Sequence, residues 1–460
     1  MSMRFRRSLS ASLAAFLAGG ALVGSLATAP AAMADSWRDK EHWLKESGIT
    51  NAWQVSKGAG VKVAIIDSGV DGNHPDLKGV VTGGADASKA GAPNGQKSIG
   101  AKPEHGTLVA TMLAGRGHTT PTASPSASPS AAPTTPPAGG PDGIVGVAPE
   151  AELLSVSTWL GSPNPGGKTD QEQIPDAVRW AVDNGAKVIN ISLGSTSPDW
   201  PQSWDAAFLY AEQKDVVIVA AAGNRVGGNV QVGAPATIPG VLTVAGLDGD
   251  GKASVDSSSQ GISIGVAAPA EDLVGGIPGG GYAEWAGTSG AAPIVSGVAA
   301  LIRSKWPEMS AAQVINRIVS TAKDAGAPGK DPLYGYGILD AEAALKGTVP
   351  TTSTNPLGSI GDWIRVHRRG DLSAPTQAPV ESPTSAPPTL ADPTVPVAQA
   401  PATVDDALPA AVVLGFGALF IAIIAGAAIQ LRRAYKNPPA TPEEADTGVM
   451  EAVDPPTKCS

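Results

Sequence analysis

Residues 61–70 read VKVAIIDSGV: an apolar run closed by Asp67, Ser68 and Gly69. The run lacks the polar–apolar alternation of a half-solvated strand. It suits a strand covered on both faces, as parallel sheets require. Similar runs recur at Glu152–Val156, Lys187–Ile191 and Val216–Ala220, with Val241–Ala245 a further candidate. Between and after them, residues 171–184, 202–214 and 313–321 have the spacing of amphipathic helices. Strands alternating with helices predict an α/β fold built on a parallel sheet. In such sheets ligands bind beyond the carboxyl ends of the strands, which puts Asp67 where chemistry is expected.

The chain has 460 residues, a formal net charge of −10, 56 Gly, 41 Pro, five His and one Cys. Of the prolines, 23 fall within residues 121–141, 350–409 and 438–456, so the rest has ordinary globular composition. The acidic balance argues against a nucleic-acid partner. With one cysteine, Cys459, no intrachain disulfide can form, and five His, one Cys and few aromatics argue against a Cys/His zinc module. No metal and no cofactor are expected.

Residues 1–34 read as a signal peptide. Arg4, Arg6 and Arg7 precede the uncharged stretch from Leu9 to Leu26, and Ala32-Met33-Ala34 is an A-x-A cleavage site. An uncleaved N-terminal anchor is the other reading. Residues 407–431 are uncharged and long enough to cross a hydrocarbon core of about 30 Å. Arg432, Arg433 and Lys436 follow, while Asp405 and Asp406 precede. This asymmetry predicts a single-pass transmembrane helix in the cell membrane, with an extracytoplasmic body and a cytoplasmic tail at 432–460. The expected domains are a short extension at 35–60, a globular domain at 61–346 and a Pro/Thr/Ser-rich linker at 347–406. Within the globular domain, the Pro-rich insertion at 119–141 is expected to be a disordered, solvated loop. Leu357–Arg369 is read as ordinary linker, with a short interfacial or partner-binding segment as the other reading.

Four motifs carry chemistry. Asp67 ends the first strand. His105 opens the stretch HGTLVA, where a neutral imidazole can act as a base if a carboxylate fixes its other nitrogen. Ser289 lies in GTSGAAP (287–293) at the start of an apolar helix, and Pro293, tolerated in a first turn, supports that boundary. Asn224 follows the strand VVIVA in AAGN (221–224) and can aim its amide at a developing oxyanion. Each alone has a plainer reading: a carboxylate serving its own loop, a structural histidine, a helix N-cap serine, a turn asparagine.

Together, in the order Asp…His…Ser, the motifs resemble the subtilases, the subtilisin-like serine peptidases. Asn190-Ile191-Ser192-Leu193-Gly194, Gly146-Val147-Ala148-Pro149 and Ala267-Ala268-Pro269 extend the match across about 61–346. The resemblance implies a doubly wound parallel β-sheet with helices on both faces. It implies Ser289 as nucleophile, His105 as general base and then acid, and Asp67 as the orienting carboxylate. Asn224 and the Ser289 N–H would form the oxyanion hole. Ser192, Leu193, Gly194 and Gly223 would bind substrate, and Gly166-Gly167-Lys168 would supply the opposite edge. By similarity, the chain is expected to be a serine endopeptidase acting on protein or peptide substrates.

The order of signal peptide, subtilase domain, Pro-rich stalk, membrane span and short tail resembles the mycosins. Those are membrane-anchored subtilases of type VII secretion, which implies secretion-system membrane components as partners and membrane lipid around 407–431. Residues 35–60 are too short for a folded pro-domain. The alternatives are a general cell-envelope subtilase and a low-turnover scaffold of the secretion complex.

Overall fold

The computed structural model describes residues 36–119, 140–228 and 230–368, and beyond them only positions 425, 426, 429 and 432. The chain divides into two compact units, Met1–Thr376 and Gln377–Ser460, and the first holds every element below. The expected signal peptide, most of the 119–141 insertion, the linker beyond 368, the span at 407–431 and the tail lie outside the described residues, those four positions apart. Among the described residues no helix is long and apolar enough to cross a membrane.

The strands are β1 (Lys62–Asp67), β2 (Val81–Asp86), β3 (Arg116–His118), β4 (Asp142–Val145), β5 (Glu152–Ser157) and β6 (Val188–Ile191). They continue with β7 (Val217–Ala221), β8 (Leu242–Leu247), β9 (Ile264–Pro269), β10 (Leu273–Ile277) and β11 (Gly281–Trp285). The helices are α1 (His42–Glu46), α2 (Ile49–Ala52), α3 (His105–Ala114), α4 (Asp170–Asp183) and α5 (Gln202–Gln213). After them come α6 (Thr288–Lys305), α7 (Ala311–Ser320), α8 (Ala341–Lys346) and α9 (Ile360–His367). Seven strands form one sheet in the order β2-β5-β1-β6-β7-β8-β9, every neighbouring pair parallel.

The apolar run at 61–66 serves two cores at once. Val63 and Ile65 join the cluster on the face covered by α3 and α6, whereas Ala64 and Ile66 join the cluster under α4 and α5. Alternate side chains of a strand leave opposite faces, so two buried faces require a run that is apolar throughout. α6 lies deepest, with fifteen of its eighteen residues buried, which explains why it is apolar all round. The strand order reverses direction at β1, which has β5 on one side and β6 on the other. The carboxyl ends of β1, β6 and β7 therefore open onto one crevice.

Three boundaries differ from expectation. Residues 36–60 are part of the core, since Trp43 and Ile49 are fully buried in the cluster under α3 and α6. The stretch after 346 continues onto the domain. There α9 buries Ile360 and Ile364, and Ser359 Oγ and the Ile360 N–H donate to Glu212 at 2.8 and 3.0 Å. Leu357–Arg369 is thus, as far as residue 368, a docked helix and its lead-in. Pro293 lies inside α6, five residues after its first residue, rather than in its first turn. The insertion at 119–141 is closed at its base by the β3–β4 pair, and the Gly140 N–H donates to the Arg116 carbonyl at 3.0 Å.

Candidate active site

β1 ends in Asp67, whose carboxylate is fully buried. Its Oδ1 accepts the Ser68 N–H at 2.7 Å, and both oxygens face His105 Nδ1, at 2.8 and 3.0 Å. A carboxylate accepts and does not donate, so Nδ1 carries the proton and Nε2 of the neutral ring is the free acceptor. Ser68 sets the distance between strand and helix. Its Oγ accepts the Gly106 N–H at 2.9 Å and donates to the Pro103 carbonyl at 3.2 Å. Gly106 itself permits the approach, because a Cβ there would meet the Gly69 carbonyl oxygen at 2.3 Å.

Burial of the imidazole works against its charged form. The charge of Asp67 and the hydrogen bond to it outweigh that effect and hold the His105 pKa above the ordinary 6.5; Lys102 opposes and Glu104 assists.

Ser289 is the second residue of α6, where backbone N–H groups have no partner within the helix. Its hydroxyl donates to the Ser192 carbonyl at 3.0 Å, and among the described residues no hydrogen bond joins it to His105. The Pro293 position has a consequence here. Proline has no N–H to give the carbonyl four residues earlier, which is that of Ser289. Ser192 Oγ donates to that carbonyl instead, at 2.8 Å. Behind it, Asn190 Nδ2 donates to Ser192 Oγ at 2.9 Å and Ser296 Oγ donates to Asn190 Oδ1 at 2.9 Å. The NISLG motif thus ties the end of β6 to the first turns of α6.

Asn224 is fixed from the same helix. Its Oδ1 accepts the Thr288 N–H at 2.9 Å and Thr288 Oγ1 at 3.0 Å, and Thr288 Oγ1 accepts the Gly223 N–H at 3.0 Å. Two donors on the oxygen settle which end of the amide is which, leaving Nδ2 as the group turned away. Gly287, at φ +135°, makes room for it: a Cβ there would lie 2.8 Å from Asn224 Nδ2.

All eight residues singled out from the sequence, Asp67, His105, Ser289, Asn224, Ser192, Leu193, Gly194 and Gly223, line a single cleft of about 350 Å³. Gly166-Gly167-Lys168 does not. Gly166 packs on the Ser88–Lys89 backbone, and Lys168 pairs with Asp176 away from the cleft. The opposite wall is formed by Ile99, Ala101, Lys102, Thr158, Leu160 and Gly161. The Ala101 N–H donates to the Leu160 carbonyl at 3.2 Å, and the Thr158 N–H to the Asp67 carbonyl at 2.7 Å. Sequence reading missed this wall because its residues carry no charge pattern or motif, and only the chain's return to the end of β1 brings them there. Trp285 was missed as well. Its ring meets the His105 ring edge-on, 5.7 Å between centroids. Among the described residues no group of three or more acidic, His or Cys side chains is placed to hold a metal ion.

A parallel sheet whose switch point gathers a buried carboxylate, a histidine, a helix-borne serine and an oriented asparagine is the arrangement of the subtilases. The subtilase family model, peptidase S8, matches residues 58–337, and the chain belongs to that family. Among its relatives, fervidolysin of Fervidobacterium pennivorans is 34% identical over 366 residues, covering 73% of this chain and 48% of fervidolysin. The chain thus spans about half the length of that relative. Mycosin-4 of Mycobacterium tuberculosis is 36% identical over 347 residues, 66% of this chain and 69% of mycosin-4. The solved MycP3 protease from the type VII (ESX-3) secretion system is similar at a TM-score of 0.54 and 34% identity, over 70% of this chain and 90% of that one.

Proposed function

We propose that the protein is a membrane-anchored, extracytoplasmic serine endopeptidase of subtilisin type that works beside a type VII secretion apparatus. The observation that carries the reading is the His105–Asp67 pair in one cleft with Ser289 at the mouth of α6. In this reading Asp67 orients the ring, and Nε2 takes the Ser289 proton as the hydroxyl attacks the scissile carbonyl carbon. A turn about the Ser289 Cα–Cβ bond exchanges its bond to the Ser192 carbonyl for one to His105. Oxyanion charge develops against Asn224 Nδ2 and the Ser289 N–H. His105 then gives the proton to the leaving amine, and water, activated by the same ring, releases the acyl group. Ser192–Gly194 and Gly223 offer backbone to an extended peptide. The signal peptide, stalk and 407–431 span read from the sequence supply the location, and the likeness to mycosin-4 and MycP3 supplies the setting.

The test is hydrolysis of a fluorogenic peptide by the full chain and by Ser289→Ala. The parent is expected to turn over, and the variant to lose hydrolysis while keeping its circular dichroism and membrane fraction. Equal turnover by the two would remove the assignment.

A further inference from the structure

The last described helix holds the loop that leads away from the cleft edge. Residues 195–201 have no regular secondary structure; they begin beside Gly194, which lines the cleft, and end where α5 begins. The near end of this loop is held by the segment around 234. The Ser195 N–H donates to the Ala234 carbonyl at 2.9 Å, and the Ala234 N–H to the Ser197 carbonyl at 2.8 Å. The far end, at Trp200, is held by α9. The rings of Trp200 and Trp363 lie 4.5 Å apart, tilted by 47°. The Arg368 guanidinium lies over both, 4.9 Å from Trp363 and 5.9 Å from Trp200. It also donates to the Trp200 carbonyl at 3.1 Å and to Asp205 Oδ2 at 2.9 Å. The other Asp205 oxygen accepts the Trp200 indole N–H at 2.8 Å. A planar cation packed against a pair of touching indoles, with its donors on a carbonyl and a carboxylate, fixes orientation as well as distance.

We infer that α9, through Trp363 and Arg368 as positioning residues, sets the placement of the Ser192–Gly194 edge and hence the enzyme's hold on an extended peptide. Between the two ends of the loop, the Thr237 hydroxyl donates to the Pro198 carbonyl at 2.6 Å, and a segment held at so few points loosens when one of them is released. The inference rests on the proposed reading of Ser192–Gly194 as a peptide-binding edge. It does not place α9 in the chemistry.

The seat of α9 does not depend on the clamp, since Ile360 and Ile364 are buried and Glu212 holds its N-terminus. Trp363→Ala and Arg368→Ala are therefore suited to test it in the full chain. With a peptide substrate of about eight residues, either change is expected to raise KM by about fivefold or more and to leave kcat within about twofold. Hydrogen exchange at 193–201 is expected to quicken while β1 and α6 keep their protection, and Trp363→Phe is expected to restore both readouts. Unchanged KM and exchange would overturn the inference, as would a loss of protection spread over the whole domain. Exchange is read without catalysis. A parent chain that hydrolyses nothing would remove the peptidase reading, and exchange at 193–201 would still decide the clamp.

Discussion

Asn224 owes its aim to Thr288. With Oδ1 held by two donors from that residue, the amide cannot turn over without leaving a backbone N–H unmet. Asn224→Ala is accordingly expected to lower kcat by about 10²–10³-fold with little change in KM, a magnitude taken over from subtilisin, where loss of the side-chain donor has that effect. Steady-state kinetics beside a melting curve separate this from the turn-residue alternative, in which the variant melts earlier and keeps its specific activity. His105 allows a signed prediction with pH. Its pKa is raised, and the protonated ring cannot accept the Ser289 proton. The acid limb of kcat/KM should therefore fall off at a pH above 6.5, with activity lost as pH drops through the folded-state value. Asp67→Asn removes the charge that favours the imidazolium. It should move that limb to lower pH and cost about 10⁴-fold in kcat. A pH profile of Asp67→Asn superimposable on the parent's would show that Asp67 does not hold the ring. For stability the sign is opposite. The raised pKa contributes fully below the unfolded-state value, and that contribution disappears as pH rises through the folded-state value.

Between the loop after β1 and the first turn of α3 the backbones also lie close, and a Cβ at Gly106 would meet the Gly69 carbonyl oxygen. Gly106→Ala should push the first turn of α3 away from the Asp67 loop and lengthen the His105–Asp67 bond. Activity is expected to fall by at least about tenfold, the cost of a sub-ångström misplacement of a catalytic group. Activity kept at the parent level, measured on the folded variant, would show that the loop yields without moving the ring. The same scale shows what could be read from the chain alone. β1, β5, β6, β7 and β8 each lie within two residues of the runs that announced them, because strands buried on both faces leave a continuous apolar signature. The helices α4, α5 and α7 were legible from their spacing. The residues that the fold gathers in one cleft stood out too, since a carboxylate, histidine, asparagine or serine at an element's end is conspicuous against apolar neighbours. The pieces that escaped take their meaning from distant partners. Trp43 is buried by strands and helices far along the chain, β10 and β11 pair across a glycine-rich hairpin, and α9 is a helix because Glu212, Trp200 and Asp205 receive it. Pro293 was misplaced for the same reason. A proline within a helix reads as a boundary until Ser192 is seen to occupy the carbonyl it frees.

Across the whole molecule, the folded domain extends from the N-terminal segment at Trp37 to Arg368, and the proposed location comes from the charge and hydropathy of segments on either side. With Arg432, Arg433 and Lys436 after the 407–431 span, Cys459 should be cytoplasmic. A membrane-impermeant thiol reagent should leave it unlabelled in intact cells and label it after lysis, and labelling in intact cells would reverse the orientation. A fluorophosphonate probe reports on the chemistry itself, because it reacts only with a serine activated as a nucleophile. Peptide mass spectrometry of the probed full chain is predicted to find one adduct, on Ser289, which disappears in His105→Ala while that variant remains folded by circular dichroism. An unlabelled Ser289 in the folded parent chain, or labelling that persists unchanged without His105, would contradict the account.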